Sequence, residues 1–100
     1  MKEQFDRTEL VIGEKGIGRL SSASVIILGV GGVGSYTAEG LARAGIGKIT
    51  LVDRDTVDVT NINRQLLALH STVGRLKAEV MAERIRDINP QCDVTAVKCF

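Results

Sequence analysis

The feature that most constrains the fold is a glycine-rich segment, residues 29–34, which directly follows a short apolar run, residues 25–28. The run is too short for an independent helix and lacks polar alternation, which is typical of a strand buried within a parallel sheet. Residues 35–45 then carry apolar side chains at helical spacing and stop at Gly45, so they predict a helix. A strand, a glycine turn and a helix in this order are typical of an α/β fold.

A second strand, a second helix and a third strand follow. Residues 49–52 predict a strand that ends at Asp53, and residues 54–71 are polar and irregular. Residues 94–97 predict the last strand. The intervening helix shows one apolar stripe made of Val73, Leu76, Val80, Met81, Ile85 and Ile88. The order β-α-β-α-β is half of a doubly wound fold, so we expect an α/β protein with a Rossmann-like parallel sheet.

The chain divides into an N-terminal arm and this half-fold. Residues 1–23 combine charged positions with a short apolar patch and three glycines, which predicts a loop and a short helix. Residues 24–100 hold the Rossmann-like half. Since a three-stranded parallel sheet leaves an edge unpaired and its faces half covered, we expect residues 1–100 to be one partial domain of a longer protein.

The composition excludes several classes of protein. Thirteen Lys and Arg against 12 Asp and Glu give a formal net charge of +1, so the basic surplus of an independent nucleic-acid-binding domain is missing. No apolar run reaches the roughly 20 residues that span a bilayer. Cys92 and Cys99 lack zinc-type spacing, and we interpret them as reduced thiols whose role is packing. We therefore expect a cytoplasmic protein with no membrane partner.

The glycine-rich segment also has the spacing of a nucleotide-binding turn. Gly29, Gly31 and Gly34 form G-x-G-x-x-G, and Gly32 is an additional glycine. Such glycines let a phosphate approach the backbone, while the N-terminus of the next helix supplies N–H donors. Asp53, after the second strand, stands where an acid binds ribose hydroxyls. The pattern predicts a site for NAD, FAD or ATP; the alternative is that the glycines serve only packing.

Two basic residues favour a triphosphate. In a dehydrogenase the second strand usually runs quickly into its next helix, whereas here a long polar loop carries Arg64 and the next helix carries Lys77. An arginine fork and a lysine charge near the glycine turn suit a triphosphate better than a pyrophosphate already held by backbone amides. The alternative is that both side chains are solvated surface charges.

Several segments together resemble the ThiF/MoeB/HesA family of adenylating enzymes, which are related to ubiquitin-activating enzymes. These segments are Gly-Val-Gly-Gly-Val-Gly (29–34), Leu-Val-Asp-Arg-Asp (51–55), Thr-Asn-Ile-Asn-Arg-Gln (60–65), Gly74 with Lys77, and Ile-Asn-Pro (88–90). Finer details resemble the TcdA (CsdL) branch, namely Phe5-x-Arg7-Thr8-Glu9, Gly34-Ser35-Tyr36 and Asn61-Ile62-Asn63-Arg64-Gln65. Members of that branch are ATP-dependent dehydratases that cyclise threonylcarbamoyladenosine in tRNA.

The resemblance implies roles for individual residues. Asp53 would hold the ribose, and Arg7 would enter the site of a partner subunit, so a homodimer is implied. Arg7, Arg64 and Lys77 would be the catalytic residues. The implied nucleotide-binding set is Gly29, Gly31, Gly32, Gly34, Asp53, Asp55, Asn61, Arg64, Gln65 and Lys77. The family's Mg²⁺-binding aspartate would follow the third strand, beyond this chain.

The function that the resemblance implies is ATP-dependent dehydration of a threonylcarbamoyladenosine group in tRNA. An alternative within adenylation chemistry is a MoeB- or ThiF-like activation of the C-terminal glycine of a ubiquitin-like sulfur-carrier protein. An alternative of a different class is a redox Rossmann domain that binds NAD. We expect the 100 residues to be inactive by themselves, because the site would be incomplete without the remainder of the enzyme.

Overall fold

The computed structural model describes residues 3–99 and shows three parallel strands in one sheet; Met1, Lys2 and Phe100, which the predicted ranges include, lie outside the described residues. The elements are α1 (Asp6–Ser22), β1 (Ser24–Leu28), α2 (Gly32–Ala44), β2 (Lys48–Val52), α3 (Lys77–Ile88) and β3 (Asp93–Val97). The strands pair in the order β1-β2-β3, with β2 in the centre. The predicted α/β fold with a Rossmann-like parallel sheet is confirmed.

One face of the sheet packs against α2 and α3. Because both crossovers run in the same direction and such connections are right-handed, the two helices lie on the same side, where they contact each other. Parallel register aligns Val25, Ile49 and Val94 in one row across the sheet. Ile49 and Leu51 of the central strand are fully buried, and the helices contribute Ala38, Ala42, Met81 and Ile85 to the same core.

The opposite face of the sheet is not covered by any of residues 3–99. Ile26 and Leu28 of β1 point to it and are 67% and 65% exposed. The apolar run predicted that β1 is buried within the sheet, which is wrong for this face of the described chain, whereas the expectation of half-covered faces agrees with the exposure. The physical reason is that both crossover helices lie on one side, as half of a doubly wound fold requires.

The N-terminal region is more helical than its sequence predicts. In place of a loop and a short helix, α1 runs over 17 residues and is interrupted at Gly13, whose φ of 77° and ψ of 171° join two helical halves. None of the residues of α1 is fully buried, and polar or charged side chains occupy most of its exposed positions. The sequence therefore lacks the apolar stripe by which a helix is usually predicted. No helix within residues 3–99 has the length and apolar character needed to cross a membrane.

Candidate nucleotide-binding site

A cavity of about 300 Å³ opens at the carboxyl ends of the strands, the edge where open α/β sheets bind ligands. Its lining includes Gly29, Asp53 and Asp55 of the predicted set. Four further residues, which were not predicted as site residues, complete the lining: Leu28, Val52 and, with polar groups, Arg54 and Cys99. The positions of Arg54 and Cys99 in the sequence could have indicated this, since Arg54 follows Asp53 directly and Cys99 follows the end of β3 at the same sheet edge. The prediction that Cys99 packs inside the protein is wrong, because it is exposed.

The glycine turn is built by two glycines with different constraints. Gly29 has a φ of 90°, in the left-handed region that side chains disfavour. Gly34 passes so close to the turn that a Cβ on it would lie 1.8 Å from the carbonyl oxygen of Gly29. These constraints fold residues 29–34 back onto the end of β1. The helix that follows begins at Gly32, earlier than the predicted residue 35.

The N-terminus of α2 is open to a ligand. Its N-cap, Gly31, has no side-chain cap, and the N–H groups of a first helical turn have no intrahelical acceptors. A Cβ on Gly32 would meet no atom of the described chain within 4 Å. Backbone donors that face unfilled space at a helix N-terminus form a site for an anion such as phosphate.

Asp53 connects the glycine turn to the end of β2. Its Oδ2 accepts a hydrogen bond from the backbone N–H of Val30 at 2.9 Å, and its Oδ1 accepts one from the backbone N–H of Asp55 at 2.8 Å. Each carboxylate oxygen can accept a further hydrogen bond. Asp53 therefore shapes the turn and still has acceptor capacity for the hydroxyls of a ligand.

A short antiparallel pairing brings the strand-end acids beside Lys77. Thr56 pairs with Leu76, the N–H of Val57 donates to the carbonyl of Arg75 at 2.8 Å, and the N–H of Lys77 donates to the carbonyl of Asp55 at 3.0 Å. This extended segment explains why α3 begins at Lys77, although the apolar stripe predicted a helix from residue 73. The pairing fixes the first turn of α3 next to the cavity.

The side chain of Lys77 is largely buried, and Asp58 is a carboxylate that its charge influences. Its exposed fraction is 8%, and within residues 3–99 no carboxylate oxygen lies within 4.0 Å of its ammonium. Hydrogen bonds from the hydroxyl and backbone N–H of Thr60 lower the pKa of Asp58, and the positive charge of Lys77 adds to this effect. The ammonium of Lys77 is not among the buried polar atoms of residues 3–99 that lack a partner, so it reaches the surface at the start of α3, where its charge and its three donors suit an anionic ligand.

The loop residues Asn61 and Arg64 are held by local hydrogen bonds. Asn61 is buried, and its Oδ1 accepts from the backbone N–H of Asp58 at 2.8 Å, which leaves Nδ2 as its donor for a ligand. Arg64 is exposed, and its Nη1 donates to the carbonyl of Thr60 at 3.0 Å and to Oδ1 of Asn63 at 2.8 Å. The remaining guanidinium nitrogens of Arg64 can donate hydrogen bonds to a phosphate.

Gln65 and Arg7 have different positions relative to the glycine turn. Gln65 is 9% exposed, and its amide lies over Gly31, where an added Cβ would be 3.4 Å from Nε2. Arg7 lies on α1, is exposed and does not line the cavity. The structure thus brings the glycines, Asp53, Asp55 and Gln65 together, whereas Arg7 is separate from them within one chain.

The described residues do not form a metal site by themselves. Residues 3–99 contain no group of three or more His, Cys, Asp or Glu side chains with the arrangement of metal ligands. The two cavity acids, Asp53 and Asp55, are too few for a divalent cation held by protein side chains alone. The Mg²⁺ implied by the resemblance is therefore not assigned to these residues.

Comparison with known proteins identifies the family. The model of the ThiF family matches residues 5–99. The chain is 58% identical over 100 residues to a tRNA threonylcarbamoyladenosine dehydratase of Bacillus subtilis, of which it spans 39%. A solved structure of the E. coli tRNA N6-threonylcarbamoyladenosine dehydratase, TcdA, in complex with ATP superposes with a TM-score of 0.95 and 56% identity, over 97% of this chain and 40% of that one.

A relative named for a different activity is less similar. The adenylyltransferase and sulfurtransferase UBA4 of Kluyveromyces lactis is 43% identical over 91 residues, which are 91% of this chain and 20% of that protein. The likeness to the B. subtilis dehydratase extends over more of the chain and at higher identity than this one. Both the family model and these relatives agree with the resemblance inferred from the motifs. The chain belongs to the ThiF family.

Proposed function

We propose that this chain is the ATP-binding part of a tRNA threonylcarbamoyladenosine dehydratase. The observation that carries the proposal is the 58% identity to such an enzyme over all 100 residues. The ATP complex of a relative with the same fold supports ATP as the nucleotide in preference to NAD. Lys77 forms no ion pair within residues 3–99, which leaves its ammonium to support a polyanionic ligand. A tRNA substrate would place the activity in the cytoplasm.

In the proposed reaction a carboxylate of the modified nucleoside attacks the α-phosphate of ATP, and pyrophosphate leaves. An internal nucleophile then closes the acyl-adenylate and releases AMP, with net loss of one water from the nucleoside. The residues of this chain would act by positioning and charge: Asp53 binds the ribose hydroxyls, and the open N-terminus of α2 receives phosphate oxygens. Arg64 and Lys77 neutralise charge that spreads over the phosphates.

The experiment that tests the function uses the full-length enzyme with ATP, Mg²⁺ and threonylcarbamoyl-modified tRNA. We expect mass spectrometry to show the nucleoside converted to a form lighter by one water. The matched control offers a carrier protein that ends in Gly-Gly, which should support little ATP–pyrophosphate exchange. An unchanged nucleoside together with rapid exchange on the carrier would instead establish a MoeB- or ThiF-like carrier-activating function.

We also propose that the enzyme is a homodimer in which Arg7 acts in the partner's site. Arg7 is exposed on the first half of α1 and forms no ion pair within residues 3–99. Leu10 and Val11 on the same half are 87% and 85% exposed, an apolar surface that a second copy would cover.

Complementation between variants tests the role of Arg7. Arg7→Ala and Lys77→Ala enzymes should each be inactive, and a mixture that exchanges subunits should recover about a quarter to a half of the activity, because one hybrid site retains both residues. The measurement is dehydratase turnover before and after subunit exchange. A mixture as inactive as its parents would show that Arg7 does not act across a dimer.

A further inference from the structure

The bend of α1 is built by two glycines that the nucleotide site does not include. Gly13 combines a φ of 77° with a ψ of 171°, a backbone conformation that is essentially restricted to glycine. A Cβ on Gly16 would lie 2.8 Å from Cβ and 2.9 Å from Cγ1 of Ile12. In an unbroken helix, Cβ atoms four residues apart are separated by about 5–6 Å, so the two halves of α1 close on one another at the bend. The bend therefore requires glycine at both positions.

Both ends of α1 contact the same short segment that follows α2. At the first end the ring of Phe5 packs on Gly45, where an added Cβ would be 3.4 Å from Cε1. At the other end the N–H of Gly47 donates to the carbonyl of Leu20 at 3.0 Å, and a Cβ on Gly47 would be 1.9 Å from the carbonyl oxygen of Ser21. A straight helix of 17 residues would be about 26 Å long, whereas Gly45 and Gly47 are at most about 7 Å apart. The two anchored ends thus hold the bend in place.

The half of α1 before the bend, residues 6–12, is almost free of contacts with the rest of the described chain. Thr8 is partly covered, whereas Arg7 is exposed and Leu10 and Val11 are 87% and 85% exposed. No residue of α1 is buried, so packing against the sheet does not set the direction of this half. Its direction is set by the bend and by the anchored ends.

We propose that Gly13 and Gly16 are positioning residues, whose fixed bend holds residues 6–12 in the orientation from which Arg7 reaches the nucleotide site of a second copy of this chain. The inference rests on the proposed dimeric role of Arg7, and it adds a function for two glycines that do not line the cavity. A fixed bend suits this role, because displacement of a catalytic group by about 1 Å can cost a hundredfold in rate.

The first test replaces Gly16 by alanine in the full-length enzyme. The new Cβ would overlap Ile12, so the bend must open and Arg7 must move. Dehydratase turnover should fall about tenfold to a hundredfold. The unfolding midpoint and the affinity for adenosine should stay close to wild type, because α1 contributes neither to the core nor to the cavity. Gly18→Ala is the matched control: a Cβ there would meet no atom of the described chain within 4 Å, and turnover should be unchanged.

Complementation distinguishes the positioning of Arg7 from a general effect on the fold. When Gly16→Ala and Lys77→Ala enzymes exchange subunits, each hybrid dimer has one site that combines an intact Lys77 with an Arg7 held by an intact bend. Turnover should rise to about a quarter of wild type, since about half of the dimers are hybrids with one complete site each. A mixture of Gly16→Ala with Arg7→Ala should stay at the level of its parents, because both variants impair the same half of α1.

A second variant keeps the test decisive if Gly16→Ala does not fold. Gly13→Ala favours a continuous helix and should give the same result in both mixtures. Wild-type turnover in these variants, an inactive mixture with Lys77→Ala, or recovery in the mixture with Arg7→Ala would overturn the inference. Failure of the proposed function is distinguishable, because then Arg7→Ala and Lys77→Ala would not complement each other even with both glycines intact, or the wild-type enzyme would leave the nucleoside unchanged.

Discussion

Replacement of Gly34 by alanine is expected to destabilise the protein severely and to abolish nucleotide binding. The new Cβ would lie 1.8 Å from the carbonyl oxygen of Gly29 and 2.8 Å from its carbonyl carbon. Both are backbone atoms at the end of β1, so no flexible side chain can move aside. The turn must shift as a unit, and we expect a loss on the order of 3 kcal/mol in the free energy of unfolding. Chemical denaturation of wild type and variant measures it.

Two other glycines of α2 provide matched controls for the same chemical change. A Cβ on Gly32 or Gly40 would meet no described atom within 4 Å, so neither alanine variant should lose stability. Gly40→Ala, in the interior of the helix, should gain up to about 1 kcal/mol. Gly32→Ala should fold normally yet bind ATP more weakly, because its Cβ would occupy the open space at the helix N-terminus. A Gly34→Ala protein as stable as Gly32→Ala would contradict the close approach described for the turn.

The fold was largely predictable because its signals are local. A β-branched run before a glycine turn, and an apolar stripe that ends at Asn89 and Pro90, each specify an element without reference to the rest of the chain. Gly45 adopts a φ of 101° at the end of α2, as its place at the end of the helical stretch predicts. The errors arise where tertiary structure decides. Leu76 fits the helical stripe, yet it pairs with Thr56 in an extended segment instead.

The sequence predicted which residues belong to the candidate site, but it did not predict their geometry. Spacing predicted that Asp53 and the glycine turn belong together, and the hydrogen bond from Val30 to Asp53 agrees with that expectation. The burial of Gln65 and of Lys77 could not be read from the sequence, because both depend on which groups surround a side chain after folding. A lysine that opens a helix is usually solvated, and only its packing distinguishes this one.

Replacement of Lys77 by methionine is expected to abolish ATP binding at ordinary nucleotide concentrations while leaving the protein folded. Methionine preserves most of the apolar stem of a side chain that is 8% exposed, and it removes a charge that no carboxylate within residues 3–99 pairs with. The stability of the unliganded enzyme should therefore change little. In the proposed ATP complex the same charge would face phosphates, and its removal should cost about 3 kcal/mol, or more than a hundredfold in affinity.

The signature of this role is a loss that grows with the number of phosphates. Titration of the full-length Lys77→Met enzyme should show adenosine affinity near that of wild type, a moderate loss for AMP and the full loss for ATP, because the missing charge acts only on the anionic part of the ligand. Lys48→Met removes the same charge from an exposed position at the start of β2 and should change none of these affinities. Equal losses of affinity for adenosine and ATP would show that Lys77 supports the fold of the site. Equal ATP affinity in wild type and variant would show that Lys77 does not bind phosphate.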